Sequence, residues 1–180
     1  MSRWITTTAL LVMTTLRFPV FAKEANKAVG FPTIAGFWTL NTDLSDVVTH
    51  RGVELWTEKM PDLAGASALL CELSEPTAYL TIVPGEGTVT FVDGDGNPRT
   101  FGTSGQTEKH HLGAGTVEAT SRWHHDELRQ EWSLPGGLHI IRTFAPAPDQ
   151  DQLIVTISVQ RPSQTEFASL KRVYLSDVVR

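Results

Sequence analysis

From Thr77 onward, short runs of alternating apolar and polar residues recur, separated by turn signals only a few residues long. A period of two marks a half-buried β-strand, because successive side chains leave a strand on opposite faces. The candidate strands are 77–83, 88–92, 99–103, 106–112, 116–123, 127–134, 138–144, 153–160 and 169–175, with an earlier one at 36–40. The breaks include Pro84-Gly85, Gly94-Asp95-Gly96-Asn97-Pro98, Ser104-Gly105, Gly113-Ala114-Gly115, His124-His125-Asp126 and Pro135-Gly136-Gly137. Such connections suit antiparallel hairpins. A parallel crossover would need a dozen residues or more, and there is no room for one. The expected fold is therefore all-β, an antiparallel up-and-down meander. Closure into a barrel of about eight to ten strands removes the exposed edges of an open sheet.

The hairpins also fix which side chains face inward. A turn centred on 124–127 sets Trp123 opposite Leu128, Ser121 opposite Gln130 and Ala119 opposite Trp132. A turn centred on 135–137 sets Leu134 opposite Leu138, Trp132 opposite Ile140 and Gln130 opposite Arg142. These residues share one face, continued by Phe144. The other face carries Glu118, Thr120, Arg122, Arg129, Glu131, Ser133, His139 and Thr143, which suits water. The inner face is apolar except at one level: Ser121, Gln130 and Arg142. A guanidinium inside a barrel needs a partner or a wet cavity, because a bare charge in an apolar interior is costly.

The first 22 residues read as an export signal. Arg3 gives a positive start, Trp4 to Leu16 is uncharged, and Val20-Phe21-Ala22 suits a peptidase site. The uncharged stretch is shorter than the roughly 20 apolar residues that span a bilayer. The expected organisation is a signal peptide at 1–22, a linker at 23–35 and a barrel at 36–176 with a long irregular insertion at about 42–76. The expected location is periplasmic or extracellular, with no integral membrane segment in the mature chain. Net charge is −5, and losing Arg3 and Arg17 with the signal leaves −7. That balance argues against nucleic acid, whose phosphates require a basic face. Cys71 is the only cysteine, so no intramolecular disulfide forms, and it reads as a small hydrophobe. Within the insertion, 65–73 is amphipathic and reads as a short helix or a lid loop.

Several groups that could carry chemistry have plainer readings. Asp93-Gly94-Asp95-Gly96-Asn97 starts like a calcium loop, but Pro98 and Ser104 stand where that pattern needs Gly and Glu. It reads as a tight turn. His110-His111 and His124-His125 cannot each supply two ligands to one ion from regular strand geometry. No zinc-binding pattern is present, and no metal or cofactor is expected. No nucleophile elbow or phosphate loop appears, so no catalytic residue is assigned. His110 is the histidine that one register turns inward.

Gly36-Phe37-Trp38, opening a β-meander, resembles the Gly-X-Trp signature of lipocalins. That resemblance implies that Trp38 closes the barrel floor and that Arg172, on the last strand, packs across its indole. Asn41, Ser45-Asp46, Asp93-Gly94-Asp95-Gly96, Thr103-Ser104-Gly105, Gly115-Thr116-Val117, Arg122-Trp123, Leu128 and Arg172-Val173-Tyr174 extend the pattern. The succession resembles a group of uncharacterised bacterial exported proteins described as lipocalin-like. It implies a barrel and an envelope location, and no established activity. The group often has a Gly/Pro-rich connection after its Ser-Asp pair, whereas 53–73 here is more apolar.

The expected function is non-enzymatic binding of a small, mostly apolar or amphipathic molecule within the barrel. Its expected contacts are Trp38, Ser121, Trp123, Gln130, Trp132, Ile140, Arg142, Phe144 and Arg172. An alternative is an envelope interaction module with a filled barrel and a binding loop at 41–75. A third reading is an enzyme using Glu108 and His110. Oligomeric state is not legible in the chain.

Overall fold

The computed structural model describes residues 34–46, 66–148, 151–161 and 164–177. The signal read at 1–22, all but the end of the linker, and residues 47–65 of the insertion lie outside them. The described chain forms β1 (Gly36–Asn41), helix α1 (Ser67–Ser74), β2 (Tyr79–Gly85), β3 (Thr88–Val92), β4 (Pro98–Gly102) and β5 (Ser104–Leu112). There follow β6 (Gly115–His124), β7 (Glu127–Leu134), β8 (Leu138–Pro146), β9 (Gln152–Arg161) and β10 (Gln164–Ser176). All ten strands belong to one sheet in the order β4-β3-β2-β1-β10-β9-β8-β7-β6-β5, with every neighbouring pair antiparallel. The all-β meander expected from the alternation is the observed fold.

The inner-face registers also match. Trp123 pairs with Leu128, Ser121 with Gln130 and Ala119 with Trp132. Gln130 pairs with Arg142, Trp132 with Ile140 and Leu134 with Leu138. Between β7 and β8, Pro135–Gly137 forms a single 3₁₀ turn in which Gly136 (φ 78°) and Gly137 (φ 73°) take the left-handed backbone that suits glycine. The core runs along the inner face through Leu80, Ile82, Phe91, Phe101, Leu128, Trp132, Phe144, Val155 and Ile157. Cys71 on α1 is partly buried and packs against it.

Closure is nearly complete rather than complete. β4 and β5 are consecutive in the chain but form no ladder with each other, and they are the two ends of the sheet. One residue, Thr103, joins them, and the β5–β6 register shifts between Ser104 and Thr107. The bulge turns β5 away from β4, because an extra residue bends its strand. A side-chain contact bridges the seam instead. The Gly102 amide donates to Glu108 Oε2 at 3.0 Å across it, while the Thr103 amide continues the β3–β4 ladder to the Gly87 carbonyl at 2.9 Å.

The C-terminal turn of α1 is held by two tethers. The Glu72 carboxylate accepts from the amides of Gly113 (3.1 Å) and Ala114 (2.9 Å) in the β5–β6 turn. In the same last turn, Arg172 of β10 donates to the carbonyls of Ser74 and Glu75. The last carbonyls of a helix lack internal partners, so a buried cation there meets a real need.

Two buried tryptophans differ in one bond. Trp38 Nε1 donates to the Ile34 carbonyl at 3.0 Å, whereas Trp132 Nε1 is buried without a partner. Replacing either by Phe removes similar apolar volume, but only Trp38→Phe strands a buried carbonyl. Trp38→Phe should therefore cost about 1–2 kcal/mol more than Trp132→Phe in denaturant unfolding. Equal losses would show that the Trp38 bond contributes nothing.

Candidate functional site

The inner face carries one region where polar groups gather. Gln130 is 1% exposed and donates from Nε2 to Ser121 Oγ at 3.2 Å. Arg142, its direct cross-strand partner, lies with its guanidinium carbon 5.2 Å from the Phe144 ring centre. From β10, Arg172 and Tyr174 point to the same interior, and the Tyr174 hydroxyl meets Arg172 and the backbone of Thr77.

A cavity of about 600 Å³ opens over this group. Its inner wall includes Leu80, Phe91, Phe101, Gln130 and Arg142, and its outer wall is formed by 75–79 and the β3–β4 turn. That volume falls within the usual range for small-molecule sites, about 300–1,000 Å³. Arg142 is enclosed by protein yet keeps part of its surface free, because that surface faces the cavity. Among the described residues no carboxylate forms an ion pair with it. Burial pulls its pKa down to about 10, with Arg172 and Arg99 adding to the effect and Tyr174 opposing it. It is a cation at neutral pH. Burial likewise lowers Arg172 and raises Tyr174.

The structure sorts the expected contacts. Gln130 and Arg142 line the cavity, and Ser121 supports Gln130. Trp132, Ile140 and Phe144 are core residues beneath and beside it, and Trp123 is partly buried at the edge of the core. Trp38 is buried opposite Ser176, while Arg172 is four residues earlier on β10, about 13 Å along a strand. The stacking of Arg172 on Trp38 implied by the lipocalin resemblance is replaced by the bonds of Arg172 to the end of α1.

Two inward residues were missed. Arg99 lines the cavity near its mouth, and Tyr174 sits beside Arg172. Both were signalled by parity: Arg99 shares a face with Phe101, and Tyr174 shares one with Arg172. The mouth is otherwise acidic, with Glu72, Glu75, Asp93 and Asp95 around it. The Asp93 carboxylate accepts from the amides of Asp95 (3.1 Å) and Asn97 (2.9 Å), so it serves its own turn. Those bonds, led by the Asn97 amide, hold it below the usual carboxylate range.

His110 faces inward between Phe101 and Trp132, with ring centres 4.5 Å and 5.6 Å away. Its Nε2 is 3.6 Å from Glu108 Oε2, longer than a hydrogen bond, and Glu108 is already engaged by Gly102. This pair serves the β4–β5 seam. His111 points out and bonds Thr116 at 2.9 Å, and His124 and His125 are exposed around the β6–β7 turn. Among the described residues no cluster of side chains could hold a metal ion, and no helix is long and apolar enough to cross a membrane.

Solved structures share this architecture. The chain is similar to lipid binding protein 8 of Caenorhabditis elegans (TM-score 0.55, 11% identity, covering 81% of this chain and 96% of that one). It is similar to a fatty acid binding protein of Schistosoma mansoni solved with arachidonic acid (0.53, 15%, 80% and 96%). It is also similar to secretory abundant heat soluble protein 4 of Ramazzottius varieornatus (0.53, 12%, 81% and 96%). No protein-family model and no curated protein sequence matches the chain. At these identities the likeness establishes the fold: a calycin-like barrel of the kind found in fatty-acid-binding proteins.

Two measurements follow from this geometry. Burial holds the His110 pKa below its ordinary 6.5, with Arg99 and His111 adding and Glu108 opposing. The unfolded chain therefore takes up this proton first as pH falls. The associated stability is complete above about pH 6.5 and is lost as pH drops through the folded-state value. His110→Phe should flatten the fall in Tm between pH 7.5 and 5, and an unchanged slope would exclude this source. Arg172→Met leaves the Ser74 and Glu75 carbonyls without their donor. Amide exchange across α1 should speed up relative to the β6–β9 core, and uniform exchange would show that the helix is held elsewhere.

Proposed function

We propose that this chain binds a long-chain carboxylic acid inside its barrel, with the acid group on Arg142 and the chain along Phe91, Phe101 and Leu80. Arg172 and Tyr174, behind the lining, act on Arg142 through their field. The observation that carries the reading is Arg142: an enclosed cation, unpaired by any described carboxylate, whose free surface faces a cavity of about 600 Å³. A buried charge of this kind is expensive unless something neutralises it, and a bound carboxylate does so with charge-assisted hydrogen bonds. The neighbours described as lipid binding protein 8 and as a fatty acid binding protein with arachidonic acid support the ligand class. A cavity of this size weighs against the filled-barrel alternative.

The proposal includes export. Its support is the sequence of residues 1–22, and the ligand would then be met outside the cytoplasm. N-terminal sequencing of the mature protein should begin at Lys23. A soluble product that retains Met1 would end that part.

For binding, oleate should raise the Tm saturably, as a ligand of the native state does. Arg142→Leu should weaken oleate binding by at least tenfold. The same substitution should leave the empty protein as stable or about 1–4 kcal/mol more stable, because it removes a desolvated charge. Oleate that fails to shift the wild-type Tm, or shifts both proteins equally, would overturn the assignment.

A further inference from the structure

The wall of the cavity holds a buried acceptor and a buried donor, neither of them partnered. Gln130 Oε1 and Arg142 Nε are both buried without hydrogen-bond partners. Their residues are directly opposed on β7 and β8, and both line the cavity. Gln130 Nε2 is committed to Ser121 Oγ at 3.2 Å, which leaves the amide oxygen as the free end. Buried polar atoms normally find partners, so such a pair describes what a ligand would bring.

A plain carboxylate answers half of that description. It is purely an acceptor, which suits Arg142, but it offers Gln130 Oε1 nothing and sets lone pairs against lone pairs. A donor on the ligand must approach Oε1 while the carboxylate stays on Arg142. Directly opposed residues on a sheet face have Cβ atoms about 4.5–5.5 Å apart, so the two ligand groups must be close in the molecule. An ammonium group would meet the repulsion of Arg142, Arg172 and Arg99, which face the same interior. A hydroxyl donates without that cost.

We infer that the cavity selects a long-chain acid bearing a hydroxyl on one of the carbons nearest its carboxylate, a 2- or 3-hydroxy acid, with Gln130 reading the hydroxyl and Arg142 the acid. This rests on the binding reading above and narrows it. It makes Gln130 the specificity-determining residue and Ser121 the residue that orients it.

The test is competition against a fluorescent fatty-acid probe by palmitate, 2-hydroxypalmitate, 3-hydroxypalmitate and 16-hydroxypalmitate, using the full chain. The 2- or the 3-hydroxy acid should compete about tenfold better than palmitate, the effect of one additional hydrogen bond to a buried group. The 16-hydroxy acid should show no gain, since its hydroxyl lies at the far end. In Gln130→Met, similar in length and without the acceptor, the ratio of hydroxylated to plain acid should fall to about one. Equal competition by all four acids would overturn the inference and leave fatty-acid binding standing. Failure of every acid to compete would overturn both readings. A preference that survives in Gln130→Met would overturn the role of Gln130. The four acids on the wild type decide the selectivity even where the variant does not fold.

Discussion

In a sheet curled into a barrel, every second side chain is committed to the interior, and a polar group there must be satisfied from within. The chain sends Ser121, Gln130, Arg142, Arg172, Tyr174, Arg99, His110 and Glu108 inward, and most have an assignment. Glu108 takes the Gly102 amide across the β4–β5 seam, and Arg172 takes the end of α1. Tyr174 meets Arg172, Gln130 meets Ser121, and Arg99 lies near the mouth within reach of the field of Asp93. Among the described residues, Arg142 is left facing the cavity with no carboxylate paired to it and with its Nε unpartnered. The site is thus found by accounting for hydrogen bonds as much as by volume.

The same accounting indicates how the cavity is reached. α1 is fastened on one side to the β5–β6 turn through Glu72 and on another to β10 through Arg172. The cavity wall formed by 76–79 and the β3–β4 turn follows the Arg172 tether at Glu75. Opening a structure costs least where fewest buried contacts and hydrogen bonds are broken. Passage between these segments would leave both tethers and the whole β6–β9 wall undisturbed. Arg172 therefore has a double position, holding the helix end while its charge contributes to the field at Arg142.

Much of this was legible in the sequence because hairpins are local. A two- to three-residue turn fixes the register, and the register fixes the face, so the pairings of Ser121, Gln130 and Arg142 followed from turn positions. The seam was not legible. Ser104-Gly105 looks like a hairpin turn, and only the shift between Ser104 and Thr107 reveals that the strands part. The partner of Arg172 was equally hidden, since Ser74 and Glu75 are almost a hundred residues away and offer backbone carbonyls, which leave no trace in side-chain type. The lipocalin resemblance placed Trp38 in the barrel interior but assigned Arg172 to the wrong neighbour, because it carried a position without the register that gives it meaning.

The remaining question is why a fold would keep an enclosed guanidinium at all. Desolvating a cation costs several kcal/mol, and apolar replacements of buried ionic groups often stabilise a protein. Arg142 is therefore a poor choice for folding alone. The balance changes once an anion occupies the cavity, because the carboxylate supplies the counter-charge in a low-dielectric interior where each hydrogen bond is strong. Binding then recovers free energy that folding gave up, and by linkage the filled barrel becomes the more stable one. The acidic residues at the mouth act in the opposite sense to the cations within. An anion lingering at the rim is repelled, and one that reaches Arg142 is held, so the field favours full insertion over superficial contact. An enclosed cation that faces a cavity, with most other inward polar groups already engaged, is thus the arrangement that the proposed ligand would complete.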